Sequence, residues 1–153
     1  IELQWNYLPT NFLTVQGNLT YMQSQIDEFT TGAGNTFRDK TPILSPDWIA
    51  NGKLKFYPID NLTVALSGKY VGESYLELTN DPGMTLPSYT VFDASLSYKL
   101  ERMSVRLELN NLQNEVYYSG GAPVDTNYDG VNDEPGYFVN ADRNFFLSFT
   151  YRL

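Results

Sequence analysis

Asn144-Phe-Phe-Leu-Ser-Phe-Thr-Tyr-Arg-Leu153 decides how this chain is read. Phe145, Leu147, Phe149, Tyr151 and Leu153 are apolar or aromatic, Asn144, Ser148, Thr150 and Arg152 between them are polar, and only Phe146 breaks the alternation. A period of two puts the two sets on opposite faces of a β-strand. In a transmembrane β-barrel the closing strand turns its apolar set to lipid and its polar set to the lumen. A soluble sheet with one buried face alternates as well. The choice depends on whether the rest of the chain repeats the pattern and on how the strands are joined.

The pattern does repeat. Ile1, Leu3, Trp5 and Tyr7 alternate with Glu2, Gln4 and Asn6, and Leu13, Val15, Gly17, Leu19 and Tyr21 alternate with Thr14, Gln16, Asn18 and Thr20 in a strand expected to run to about Ile26. Further strands are expected from about Trp48 to Tyr57, Leu62 to Val71 and Ser88 to Leu100, and around Val105, Leu107 and Leu109, which makes seven with the closing strand. The joins near residues 9, 59 and 102 are tight, with Pro and Asn supplying turn chemistry at the first two, while those near 36, 80 and 127 are long.

Bacterial outer-membrane barrels have short periplasmic turns and long external loops. Here every tight join falls at the same end of the strands as the carboxyl terminus, the end such barrels keep in the periplasm. Strands of about ten residues match a tilted crossing of the hydrocarbon layer. Aromatics collect near strand ends, Tyr7, Phe12, Phe56, Tyr57, Tyr98 and Tyr151 by the tight turns and Tyr21, Trp48, Tyr70, Tyr89 and Phe145 by the long loops, as two interfacial girdles would. The fold expected is all-β, an antiparallel up-and-down transmembrane β-barrel. Seven strands cannot close a barrel of even strand number, so residues 1–153 are read as the C-terminal segment of a larger one.

Composition narrows the function. The chain has no His and no Cys, so neither a Ser-His-Asp nor a Cys-His arrangement can be built, and no enzyme is expected. A net charge of −8 disfavours nucleic acid, whose backbone demands clustered Lys and Arg. Twelve Tyr and nine Phe with only 18% charged residues argue against disorder. No apolar run is long enough for a transmembrane helix, so a membrane role requires strands.

Three segments resemble the C-terminal part of the barrel of TonB-dependent outer-membrane receptors. They are Ile1 to Asn11, Leu86 to Tyr98, and Asn111-Leu-Gln-Asn-Glu-Val-Tyr117, the last similar to an Asn-Leu-Phe-Asp-x-x-Tyr motif with Gln113 at the Phe position. The terminal residue is Leu153 where Phe is usual. The resemblance implies a location in the outer membrane of a Gram-negative bacterium, against lipid. It implies energised uptake of a scarce nutrient such as a ferric siderophore, a cobalamin or an oligosaccharide. The partners implied are the remainder of the barrel, its plug, and TonB through an N-terminal part. Neither the plug nor that part is expected within residues 1–153. Two other readings are open: a small eight-stranded barrel with an adhesive or structural role, its missing strand within 27–46 or 113–141, and a soluble β-sandwich binding carbohydrate.

One stretch carries ligand chemistry. Asp125, Asn127, Asp129, Gly130, Val131 and Asp133 follow the D-x-N-x-D-G-x-x-D order of a calcium loop, with side-chain oxygens at the first, third, fifth and ninth positions and a carbonyl at the seventh. The twelfth position is Gly136 rather than a bidentate Glu, so either Glu134 takes that role from a shorter loop or the affinity is low. Alternatively Asp129-Gly130 is simply a hairpin turn. Tyr75, Tyr117 and Tyr118, with Tyr128 and Tyr137, lie in or beside the long loops, where they would stack on a sugar or an aromatic chelator, or on one another.

Overall fold

The computed structural model describes residues 1–153. Strands β1 (Glu2–Thr10) and β2 (Leu13–Tyr21) are followed by a small hairpin, β3 (Ile26–Thr30) and β4 (Thr36–Lys40). After β5 (Trp48–Ile59) and β6 (Leu62–Val71) comes a second, β7 (Ser74–Tyr75) and β8 (Thr85–Leu86). Next are β9 (Tyr89–Lys99) and β10 (Met103–Asn110), a third hairpin of β11 (Tyr118–Val124) and β12 (Glu134–Val139), and finally β13 (Asn144–Tyr151). The main sheet has seven antiparallel strands in the order β1-β2-β5-β6-β9-β10-β13, a meander in which each strand neighbours the next. The three hairpins pair only with themselves, inside the three long connections.

The seven expected strands are therefore present. Two details differ. The second strand ends at Tyr21, opposite Trp48, because β5 supplies no partner before that residue, and Ile26 opens the first hairpin instead. No eighth strand joins the sheet, and β1 and β13 are its two edges, so the complete eight-stranded barrel is not formed.

Register turns the sequence alternation into two continuous surfaces. Leu13, Phe56, Val64, Leu96, Leu107 and Leu147 are successive partners across the sheet, and so are Val15, Leu54, Leu66 and Ala94. These rows are not buried in a core: Leu66 is 45% exposed, Leu96 43% and Leu147 69%. A sandwich would cover them with a second sheet, and none is there. The opposite, polar face is the more shielded one. Thr14, Ala65 and Val91 on it are buried, as on the inside of a curved wall, where side chains converge. Apolar outside and polar inside is the arrangement of a barrel in lipid.

On the outer face Gly17, Gly52 and Gly68 are successive partners between Trp5 and Phe92. A Cβ on Gly68 would lie 2.8 Å from the Phe92 ring, and one on Gly17 would overlap the Trp5 indole. Each aromatic covers a bare stretch of backbone that any larger residue would displace. Tyr21 packs on Trp48 with tilted rings 4.6 Å apart and Phe12 meets Phe56 edge-on at 5.9 Å, one pair at each end of the strands. Tyr89 departs from the girdle expected for it, since its alternation with Phe92 places it with Val91 and Asp93 on the polar face. Phe146 also lies on that face, opposite Glu108.

Candidate functional site

The polar face and the loops at its open end hold the residues with binding chemistry. One row across the wall is Asn18, Asn51 and Lys69, and the next is Gln16, Lys53, Ser67 and Asp93. Asn51 Nδ2 donates to Asn18 Oδ1 at 2.8 Å. The ion pairs of the chain are Arg38–Glu28 and Arg106–Glu108, which leaves the Lys53, Lys55 and Lys69 ammonium groups on this face unpaired. Such a wall is rich in amide groups and suited to a polar solute.

At the loop end the chain leaves β10 at Asn111, whose φ of 53° is a left-handed backbone that Asn adopts more readily than most residues. Asn111 is only 2% exposed, and its polar groups are satisfied. Its N–H donates to Asp93 Oδ1 at 2.9 Å, its Nδ2 to the Glu115 carbonyl at 2.8 Å, and its Oδ1 accepts the Glu115 N–H at 2.8 Å. This knot ties the last long loop to β9. It also shapes a pocket of about 340 Å³ whose lining includes Lys69, Tyr89, Asp93, Tyr117 and Asn140. The Tyr89 and Tyr117 rings lie 4.7 Å apart. Burial, and then the neighbouring Tyr89 and Asp93, push the Tyr117 phenol above its usual pKa, so it stays a neutral donor at physiological pH.

Beyond the pocket the loops pack on one another. Leu76, Met84 and Leu86 are buried, three of the five buried apolar residues in the chain, so its dry core lies in the loops and not in the wall. The third hairpin presses against them: a Cβ on Gly121 would sit 2.6 Å from the Gly136 carbonyl oxygen and 3.2 Å from Leu76. Tyr137 Oη donates to the Thr85 carbonyl at 3.0 Å. The Leu44 N–H donates to the Tyr75 carbonyl, and Asn80 exchanges bonds with the Thr41 backbone, which brings in the first loop.

The tyrosines singled out in the sequence thus divide. Tyr117 lines the pocket. Tyr118 stacks on Tyr137 at 4.4 Å, and Tyr75 lies in the short β7 strand, so both belong to the packing between loops. Tyr128 is 92% exposed and touches neither group. Lys69, Tyr89, Asp93 and Asn140 were missed. They come from separate strands and loops, and only strand register brings them together. Asn111 and Asp93 do stand in the segments that carry the family resemblance, which was the available signal.

Residues 125–133 form the connection of the β11–β12 hairpin. Asp125 accepts the N–H groups of Asp129 and Gly130, Asn127 Oδ1 accepts that of Asp129, and Asp129 Oδ1 that of Val131. Asp133 instead accepts the Thr126 N–H and hydroxyl at 2.9 Å, and these bonds hold its carboxyl below the usual carboxylate range. Glu134 opens β12. The side-chain oxygens of Asp125, Asn127, Asp129 and Asp133 thus accept hydrogen bonds within the loop, and no three acidic side chains converge with metal-ligand geometry.

Comparison with known proteins agrees with this architecture. The family described as TonB dependent receptor-like, beta-barrel matches residues 1–112. The ferrichrome outer membrane transporter/phage receptor of Escherichia coli (strain K12) is 32% identical over 126 residues, 76% of this chain and 16% of that protein. The siderophore receptor PiuA from Acinetobacter baumannii superposes with a TM-score of 0.78 at 18% identity, over 98% of this chain and 21% of its own. For the ferric yersiniabactin uptake receptor FyuA from Yersinia pestis the TM-score is 0.74 at 18% identity, over 98% and 22%. The chain therefore spans about a fifth or less of the length of these proteins. It belongs to the TonB-dependent receptor family of the Gram-negative outer membrane, and its seven strands are the kind of wall from which that family's β-barrel is built.

Proposed function

We propose that this wall is the C-terminal part of the barrel of a receptor that takes up a ferric siderophore, energised through TonB by a plug and an N-terminal part outside residues 1–153. The observation that carries the reading is the two-faced sheet, with apolar rows outward and an amide-rich wall inward, ending in a pocket under interlocked loops. The relative and the solved receptors support a siderophore over a cobalamin or an oligosaccharide, since their names specify ferrichrome, a siderophore and ferric yersiniabactin. Deleting the receptor gene is expected to abolish growth on a ferric siderophore as sole iron source, with rescue by the intact gene. Growth that is unchanged on every ferric siderophore tried, together with a defect on cobalamin or an oligosaccharide, would reject the siderophore and keep the transporter.

Calcium at residues 125–134 belongs to the same proposal and rests on the donor order Asp125, Asn127, Asp129, Asp133. External calcium modules work at dissociation constants on the order of 10⁻⁴–10⁻³ M. Millimolar calcium is therefore expected to slow proteolytic cleavage of this loop at the cell surface, and Asp129→Ala to remove the protection. Equal cleavage with and without calcium rejects the metal and leaves a loop folded by its own Asp and Asn side chains.

A further inference from the structure

Of the glycine row on the outer face, only the two outer members are covered. The Trp5 indole lies over Gly17 and the Phe92 ring over Gly68, while a Cβ added to Gly52 between them would meet nothing within 4 Å. The result is an apolar trough of about 480 Å³, with Trp5 and Phe92 as its walls and the Gly52 backbone as its floor. The walls stand over β2 and β6, two strand spacings or about 10 Å apart. That leaves room for one hydrocarbon chain.

The trough is open at one end only. Toward the tight turns it stops against Leu54, flanked by Val15 and Leu66 in the next outward row. Toward the long loops the outward residue of β5 is Ala50, a single methyl group, and beyond it the Trp48 ring is drawn aside onto Tyr21. Gly52 lies midway between Trp48 and Phe56, one from each aromatic pair, and so near the centre of an apolar band roughly 25 Å tall. No charged side chain faces the trough, because Lys53 and Lys69 belong to the polar face.

The surroundings decide what fills it. The trough is continuous with the lipid-covered rows that contain Leu54, Leu66 and Leu96. Hydrocarbon is the medium at that depth, and an empty trough would forfeit the dispersion contacts of two rings and a stretch of backbone. We propose that the trough over Gly52 is a fixed site for one acyl chain of a membrane lipid from the leaflet on the long-loop side. The chain enters past Ala50 and ends with its methyl group on Gly52, against Leu54. Recognition is by shape, without a charged contact to the headgroup, and it does not depend on the uptake reading above.

The test uses the full-length receptor in phosphatidylcholine vesicles doped with a phosphatidylcholine that carries a diazirine at the end of one acyl chain. Illumination is expected to attach this probe at Trp5, Gly52 and Phe92 in preference to Ala94, Leu107 and Leu147, outward residues near the middle of their own strands. Gly52→Leu fills the trough, and the free space around its Cβ lets the variant fold. It is expected to lose the preference, and the receptor in mild detergent to carry one bound lipid fewer by intact mass. Ala50→Leu blocks the open end and is expected to do the same. Labelling spread evenly over the outward residues of wild type overturns the site, and that result needs no variant. So does a preference that survives Gly52→Leu, while one that survives Ala50→Leu overturns the direction of entry. A receptor that is dimeric as wild type and monomeric as Gly52→Leu puts a second copy in the trough and overturns the lipid.

Discussion

Arginine in place of Leu66 is expected to destabilise the membrane-inserted barrel by about 2–4 kcal/mol, while arginine in place of the next residue, Ser67, is expected to cost no more than about 0.5 kcal/mol. Leu66 lies near the middle of β6, within the outward row that joins Leu54 to Ala94. A guanidinium there must desolvate into hydrocarbon or thin the bilayer around it. Ser67 points the other way, between Lys53 and Asp93, where water and a carboxylate are available. Equilibrium unfolding from lipid vesicles, monitored by Trp fluorescence, gives both numbers. Arginine at two adjacent positions of one strand can differ this much only if their environments alternate. Equal penalties would mean that both faces see the same medium.

Asn111 is the second sensitive position. Replacing it with Gly keeps the left-handed backbone but loses the bonds its side chain makes with Glu115. A loss of about 1–3 kcal/mol is expected, the net worth of two hydrogen bonds at about 0.5–1.5 kcal/mol each. Replacing it with Ala adds the strain of a Cβ at φ 53°, about 1 kcal/mol more. The effect should be local. The loop spanning residues 111–143 is expected to become a cleavage site for external protease in both variants, while the strands stay protected. Ligand binding should fall with it, since Tyr117 and Asn140 are carried by that loop. If both variants resist protease as wild type does, the Asn111 side chain does not order the loop.

The strands were legible in the sequence because a sheet with two different solvents writes its geometry into every second residue. Leu13 through Tyr21 and Leu62 through Val71 could hardly be read otherwise, and the tight joins near 9, 59 and 102 set the polarity of the wall. The loops were not legible in the same way. Their hairpins are short, pair locally and bury Leu76, Met84 and Leu86 against partners far along the chain, so no local period announces them. The Asp129-Gly130 turn was visible, but the sequence alone did not separate a hairpin connection from a metal loop, because both use Asp and Asn oxygens in the same order. The pocket was hidden for a different reason. Lys69 and Tyr89 look like ordinary strand positions until register places them on one face beside Tyr117.

The central claim is that lipid covers one face of this sheet and water the other. These 153 residues contain no cysteine, so single cysteines can be introduced along β9 and labelled in intact outer membranes with a charged maleimide and, separately, a lipid-soluble one. The account predicts a period of two: Asp93, Ser95 and Ser97 positions react with the charged reagent, and Phe92, Ala94 and Leu96 positions only with the lipid-soluble one. Charged-reagent labelling that is uniform along the strand, or strongest at Phe92 and Leu96, would contradict it.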